Sequence, residues 1–301
     1  MLLSDLAQKM GISEDVAEQF LINAPEKYKV YSIPKRGIGF RLIAQPSKEL
    51  KVYQKTLLNL IVLPINDTAK AYRLGESIKS NALIHSGNAY LLKMDLEDFF
   101  NSITPDVFWS VWQRFWELPD EYDMSVIESV TFWKKDNSLV LSIGAPSSPM
   151  ISNFCLFFFD EEINKFCVKN NISYSRYADD LTFSTNIRNV LFSLPKLIAK
   201  VLKENFSGAL KINRGKTIFS SKAHNRHVTG ITLSNDGKIS LGRARKRYIK
   251  HKIHHYKLGL LDFDEINHLK GLIAFSKFIE PLFFESLEIK YSKITLMKLM
   301  E

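Results

Sequence analysis

Cysteine is scarce: the 301 residues contain two, Cys155 and Cys167. That count excludes a disulfide-stapled fold, and the spacing excludes a structural zinc site, which needs paired ligands. Both are expected to be reduced core residues of a cytoplasmic protein. Long apolar runs are missing too. The longest aromatic-aliphatic stretch, Phe154 to Phe159, runs straight into Asp160-Glu161-Glu162, far short of a bilayer span. Met1 to Met10 carries Asp5 and Lys9 and has no signal-peptide core; no membrane partner is expected. No repeat or low-complexity linker is present, and the 13 glycines and 10 prolines are scattered, which argues against lobes swinging on tethers. Scarcest of all is acid between Lys211 and Tyr256, where twelve Lys and Arg face Asp236 alone.

That local imbalance accounts for the charge of the whole chain. Net charge is +9 and the pI about 9.3, yet outside the segment 29 basic residues meet 31 acidic ones. A polyanionic partner is expected to meet this segment. Arg243, Arg245, Lys246, Arg247, Lys250 and Lys252 fall within one predicted helix, with Tyr248 and Tyr256 among them. A merely solvated helix would interleave acids, and this one has none. Phosphate contacts from such a helix give affinity and register but little sequence information. Five of the seven histidines also lie here, without the spacing of a metal site. Elsewhere the composition, 46% apolar and 24% charged, is that of an ordinary globule with material for a large core.

The chemistry starts from acids placed side by side. Tyr177-Ala178-Asp179-Asp180 separates two short apolar-alternating runs, so the acids are expected at the tip of a hairpin. Adjacent like charges are costly unless a cation neutralises them, and hard divalent ions are held by carboxylates together with substrate phosphates. A lone Asp-Asp is also an ordinary surface turn. The second site upstream separates the two readings. Tyr90 to Asp95 is an apolar strand ending in an acid, and a third carboxylate there would complete a two-metal clamp for phosphoryl or nucleotidyl transfer.

These residues resemble a known family. Tyr177-Ala178-Asp179-Asp180 and Met94-Asp95-Leu96-Glu97-Asp98-Phe99-Phe100 resemble the two catalytic motifs of reverse transcriptases. Gly144-Ala145-Pro146-Ser147-Ser148-Pro149 resembles the segment that opens a long palm helix, here expected from Met150 to about Val168. Asn213-Arg214-Gly215-Lys216-Thr217 and Arg41-Leu42-Ile43-Ala44-Gln45-Pro46 resemble the lysine motif and the fingers motif, so the match runs in order over about 31–232. Asn81-Ala82-Leu83-Ile84-His85 and Val228-Thr229-Gly230 resemble signatures of the retron type. One departure is Ile143, where the family usually has Gln before Gly144.

The resemblance implies an α+β right-hand polymerase: fingers, a palm with an antiparallel sheet, and a helical thumb. Its expected division is 1–88 for N-terminal helices and fingers, 89–235 for the palm with a fingers insertion about 105–140, and 236–301 for the thumb. It implies an RNA-directed DNA polymerase that uses dNTPs and two Mg²⁺ ions. The cognate structured non-coding RNA would be copied into a DNA that stays joined to it, in antiphage defence with a separate effector protein. A non-catalytic nucleic-acid scaffold and an abortive-infection-type template-independent polymerase are the alternatives.

Roles by residue follow from the same resemblance. Asp95, Asp179 and Asp180 would hold the metals, with the backbone at Leu96 beside them. Lys216 either protonates the departing pyrophosphate or is one more phosphate-facing cation. Arg41 would pair with the triphosphate. Phe100 either excludes a 2′-hydroxyl or packs in the core beside Phe99. Gly144 and Ala145 would border the nucleotide. Asn81 and His85 either present polar groups to RNA or cap a turn inside the fingers. Arg243, Arg245, Lys246, Arg247 and Lys250 would grip RNA.

Pattern alone places helices over 3–23 (two, with Ser4 and Ser13 as caps), 48–62, 105–116, 122–134, 189–205, 243–258, 264–278 and 282–298. A hairpin over 29–44 turns at Lys35-Arg36-Gly37, and strands are expected near 210–219 and 227–233.

Overall fold

The computed structural model describes residues 1–35, 37 and 39–300. Two short amphipathic helices open the chain, α1 (Leu2–Met10) and α2 (Glu14–Leu21). Gly11, left-handed at φ 68, ends the first, and Ser13 caps the second by accepting from the Val16 amide. Ser4 lies inside α1 rather than at its start. An antiparallel hairpin follows, β1 (Tyr28–Pro34) and β2 (Phe40–Pro46), exposed over most of its length. The expected turn includes Arg36, which lies outside the described residues. Next come α3 (Lys48–Leu60), capped by Ser47, and α4 (Ile78–Ser86), opened by a Ser77–Ser80 capping box.

Strand β3 (Tyr90–Asp95) leads into α5 (Pro105–Trp112) and α6 (Glu121–Thr131). The predicted helix over 122–134 stops early, because Trp133 onward forms a small hairpin, β4 (Trp133–Lys135) with β5 (Ser138–Val140). Asp136 takes φ 54 in its turn, a conformation that Asp tolerates better than most residues. The expected single palm helix is two, α7 (Ser148–Cys155) and α8 (Phe157–Lys169), broken at Leu156. Strands β6 (Ser173–Tyr177) and β7 (Asp180–Thr185), helix α9 (Leu194–Phe206) and strand β8 (Ile218–Ser221) complete this part. The strand expected over 210–219 is confined to β8, with Ile212 making only an isolated bridge to Leu96.

The segment expected as one strand over 227–233 is a tight hairpin, β9 (Arg226–Val228) and β10 (Ile231–Leu233), turning at Thr229 (φ 47) and Gly230 (φ 79). Strand β11 (Ile239–Ser240) joins it. The chain then runs through α10 (Arg243–Lys257), α11 (Phe263–Ile279), α12 (Pro281–Tyr291) and α13 (Lys293–Met300). Ser292, at φ 70, divides the helix predicted over 282–298.

Four strands form an antiparallel sheet in the order β6-β7-β3-β8. A core running from Leu3 to Leu210 packs the N-terminal helices, α5 to α9 and one face of that sheet together. A second core joins Ala82 of α4 and Leu91 of β3 to the β9–β11 hairpins and the last four helices. Helix α4 is therefore the element shared between the sheet and the C-terminal helices. Cys155 and Cys167 are buried and unbonded, and burial pushes the Cys167 thiol up to about 12. Among the described residues no helix is long and apolar enough to cross a membrane.

Candidate active site

The β6–β7 connection has two residues, because Tyr177 pairs directly with Asp180. Its first position, Ala178, is left-handed at φ 57, where such hairpins ordinarily place glycine. Register does the rest. Asp180 is the cross-strand partner of Asp95 on β3, so the two carboxylates leave the same face of the sheet. The Asp179 carbonyl accepts from the Leu96 amide at 3.0 Å, which fixes the turn against the end of β3. Asp95, Leu96, Asp179 and Asp180 are thus brought together from strands 85 residues apart in sequence.

Burial and like charge act together at this corner. Burial, then the Asp95 charge, holds the Asp179 carboxyl above its ordinary range. Burial together with Asp179 and Asp95 pushes Asp180 up to about 6. Lys216 supplies the compensating charge: its Nζ lies 2.9 Å from both oxygens of Asp95. That lysine is 60% exposed at the side chain, whereas Asp95 is only 10% exposed, so the cation reaches in from solvent over an otherwise enclosed carboxylate. Among the described residues no three potential ligands yet close on one point. The donors are hard oxygens under mutual repulsion, which is the chemistry a divalent cation satisfies.

Beside the carboxylates lies a cleft of about 410 Å³ lined by Phe100, Gly144, Ala145, Tyr72, Lys51 and Lys55 among others. Three of the expected nucleotide contacts therefore share one wall. Phe99 and Phe100 divide their tasks: Phe99 is core, 4% exposed, and Phe100 is half-buried on the cleft. Gly144 is required where it stands. At φ 126, a Cβ there would come within 3.1 Å of the Ala44 carbonyl, and the neighbouring Ile143 carbonyl accepts from the Ala44 amide. The turn is thereby stitched to β2, whose exposed Arg41 acts electrostatically on Asp179 and on Tyr72. Sequence reading missed Tyr72 and Lys55, and took Lys51 only as part of the fingers resemblance, with no role. The two lysines, four apart on an amphipathic helix, were a usable signal; Tyr72, in a loop, left none.

Two expectations for RNA contact are corrected. Asn81 and His85 are fully buried, so neither side chain meets a ligand. His85 Nδ1 lies 2.7 Å from Ser184 Oγ and Nε2 lies 2.8 Å from Ser175 Oγ, while Ser175 donates to Asn81 at 2.7 Å. This motif clamps α4 beneath β6 and β7. Lys246 is the second correction, since its charge is paired with Glu280 and its half-buried side chain lies over the Phe283 ring. Arg245 is half-buried, donating to the Gly230 carbonyl and resting on Phe275, and Lys250 lies near Phe283. Arg243 and Arg247 remain exposed on one face of α10, followed at helical spacing by His251 and His254.

Comparison with known proteins identifies the family. The family described as "Reverse transcriptase (RNA-dependent DNA polymerase)" matches residues 33–233. The chain is 48% identical to the Retron Ec83 reverse transcriptase of Escherichia coli over 275 residues, covering 89% of this chain and 88% of that protein. It is 34% identical to the Retron Ec73 reverse transcriptase of the same organism, covering 90% and 89%. Among solved structures, a telomerase from Candida albicans superposes with a TM-score of 0.48 at 13% identity, covering 94% of this chain and 60% of that one. The chain belongs to the reverse transcriptases, RNA-directed DNA polymerases, and among them to the retron type.

Proposed function

We propose that this polymerase copies a cognate structured non-coding RNA into single-stranded DNA that remains joined to the RNA through a 2′-linked branch. The carrying observation is the register that sets Asp95 opposite Asp180 beside Asp179, with two of these carboxyls pushed upward by burial and by their neighbours' charge. Two Mg²⁺ ions bound here would lower the pKa of the primer hydroxyl and take up charge from the triphosphate and pyrophosphate. Asp95, Asp179 and Asp180 would hold them, with the Leu96 backbone adjacent.

The protein's own groups supply the remainder. Lys51 and Lys55 line the cleft, and Arg41 on β2 would join them at a triphosphate, where a planar guanidinium and two ammonium groups pair with its oxygens. Phe100 presents its ring to the sugar and excludes a 2′-hydroxyl by bulk, while Gly144 and Ala145 bring backbone close to the base pair. Ser148, 1% exposed on the same cleft, has a hydroxyl with no partner among the described residues, which suits a ligand group. Lys216 leaves Asp95 to meet the phosphates once the carboxylate's charge is otherwise balanced. Residues 1–88 and the 105–140 insertion would serve as fingers, 89–235 as palm and 236–301 as thumb. The exposed Arg243 and Arg247 would grip the phosphates of the RNA or of the product duplex. The retron assignment carries with it a role in antiphage defence beside a separate effector protein.

Asp179→Asn is expected to abolish Mg²⁺-dependent DNA synthesis while RNA binding persists; synthesis at the wild-type rate refutes the site. Nucleic acid co-purifying with the wild-type chain should be a short DNA joined to RNA. Exchanging Arg243 and Arg247 for Gln should flatten the salt dependence of RNA binding by roughly 0.7–0.9 log units for each phosphate no longer neutralised. Lys246→Gln should leave that slope unchanged.

A further inference from the structure

Behind the catalytic turn lies a buried charge cluster with no part in the chemistry above. Arg176, the last residue but one of β6, is wholly enclosed, as is its partner Asp160 on α8. Its Nε and Nη2 donate to the two Asp160 oxygens at 2.6 to 3.1 Å. Its Nη1 points the other way, to the Ala178 carbonyl at 3.1 Å and to Asn153 Oδ1 at 3.1 Å. The Ala178 carbonyl belongs to the peptide that joins Ala178 to Asp179. Holding that oxygen inward keeps the Asp179 amide outward and opposes a flip of this peptide, which would change ψ of Ala178 and φ of Asp179 and so re-aim the Asp179 side chain.

Asn153 carries the restraint further. While its oxygen accepts from Arg176, its Nδ2 donates to the Ala71 carbonyl at 2.9 Å. The next residue is Tyr72, left-handed at φ 60, in the wall of the nucleotide cleft. Residues 68–70 are also tied to Arg176 by its own backbone, through Thr68 at 2.9 Å and Lys70 at 2.7 Å. A single buried amide therefore spans the two strained positions of the site, one under the metal ligands and one beside the substrate. Ion pairs this deep are not needed for stability, since apolar replacements often serve as well, but they do fix geometry.

We propose that Arg176, gripped by Asp160 and Asn153, is the positioning residue of the catalytic turn, and that Asn153 couples the turn to Tyr72 so that metal ligands and cleft wall keep one alignment. This rests on the polymerase reading of the carboxylates. The planar fork of arginine is required, because a lysine beside Asp160 cannot also reach the Ala178 carbonyl.

The test uses the full chain with its RNA. Asn153→Ala keeps the Arg176–Asp160 pair and removes both links. It should lower kcat about 10²-fold, as a displacement of roughly 1 Å does, and raise KM for dNTP. Amide hydrogen exchange over 177–180 and over 70–73 should accelerate together. Arg176→Lys should do the same at the turn. Tyr174→Phe, which removes a hydrogen bond to the same Asp160 without touching the turn, should lower the melting temperature and leave kcat, KM and exchange at the turn as in wild type. Wild-type kinetics and exchange in Asn153→Ala overturn the proposal, whether or not Arg176→Lys folds. So does a Tyr174→Phe variant with the same kinetic loss, which would make the cluster a generic part of the core. Asp179→Asn separates the two failures: if it stays active, the polymerase reading of the turn is wrong, whereas the exchange measurement still reports on the brace.

Discussion

The two ends of the β6–β7 hairpin hold polar clusters built in opposite ways. At the tip, Asp95, Asp179 and Asp180 repel one another, with Lys216 reaching in from solvent as the nearest cation. At the base, His85 sits between Ser175 and Ser184, with Asn88 donating to Ser184 at 2.7 Å. Ser175 gives its proton to Asn81, so it must accept from Nε2–H; the Nδ1 of the neutral ring is then an acceptor, and Ser184, which accepts from Asn88, donates to it. The imidazole is thereby fixed as the neutral Nε2–H form, assigned from the network, and burial pushes its pKa down to about 3. One cluster is left electrostatically incomplete and the other is closed. The first is suited to take up a ligand; the second locks α4 to the palm.

That contrast predicts opposite trades between activity and stability. Asp95→Asn should lower DNA synthesis by about 10²–10³-fold, the cost of losing a group aimed at developing charge. Its melting temperature should stay near wild type, because the repulsion relieved offsets the loss of the Lys216 pair, whose lysine is largely in solvent. His85→Ala should do the reverse in kind, costing about 3–5 kcal/mol through a cavity and two orphaned hydroxyls. Thermal melts and primer extension on both variants decide the matter. An Asp95→Asn protein that unfolds while His85→Ala does not would erase the distinction.

Sequence made the tip legible and left the base obscure, for a physical reason. Metal chemistry demands acids at strand ends, a local signature, and Asp95, Asp179 and Asp180 show it within a few residues of each strand. The partners of His85 lie 90 and 99 residues away, so nothing near Asn81-Ala82-Leu83-Ile84-His85 reveals that the motif is enclosed. The pairing of Lys246 is hidden for the same reason, its Glu280 lying 34 residues downstream. The α+β order of elements was readable from periodicity. The breaks at Leu156 and Ser292 were not, since one non-helical residue barely alters a helical pattern. Tight hairpins at Thr229-Gly230 and Asp136-Asn137 were missed where strands of three residues carry too little alternation to register.

The clusters should also answer pH with opposite signs. His85 is depressed in the folded chain, so its contribution is present above the unfolded value of 6.5 and is lost as pH falls toward 3. Asp180 is raised, so the folded state gains as pH falls from about 6 toward 3.8, where the carboxyl takes a proton and the repulsion ends. Asp180→Asn should therefore melt higher than wild type at pH 7 in chelator, and the gap should close near pH 4. A gap independent of pH would show that neither burial nor its neighbours make the Asp180 charge costly in the folded chain.

The smallest effect expected is at Ala178, and it sets the strain of the turn against its function. A left-handed alanine costs roughly 1–2 kcal/mol relative to glycine in the same conformation, while glycine surrenders part of that gain by loosening the unfolded chain. Ala178→Gly should thus raise the melting temperature by a degree or more, net of about 1 kcal/mol or less. Activity should fall severalfold, because glycine lets the 178–179 peptide sample orientations in which Asp179 no longer faces Asp95. Stabilisation with undiminished synthesis would mean that alanine only tolerates this conformation. Stabilisation with loss would show that the strained residue narrows the turn to the one geometry in which its carboxylates converge.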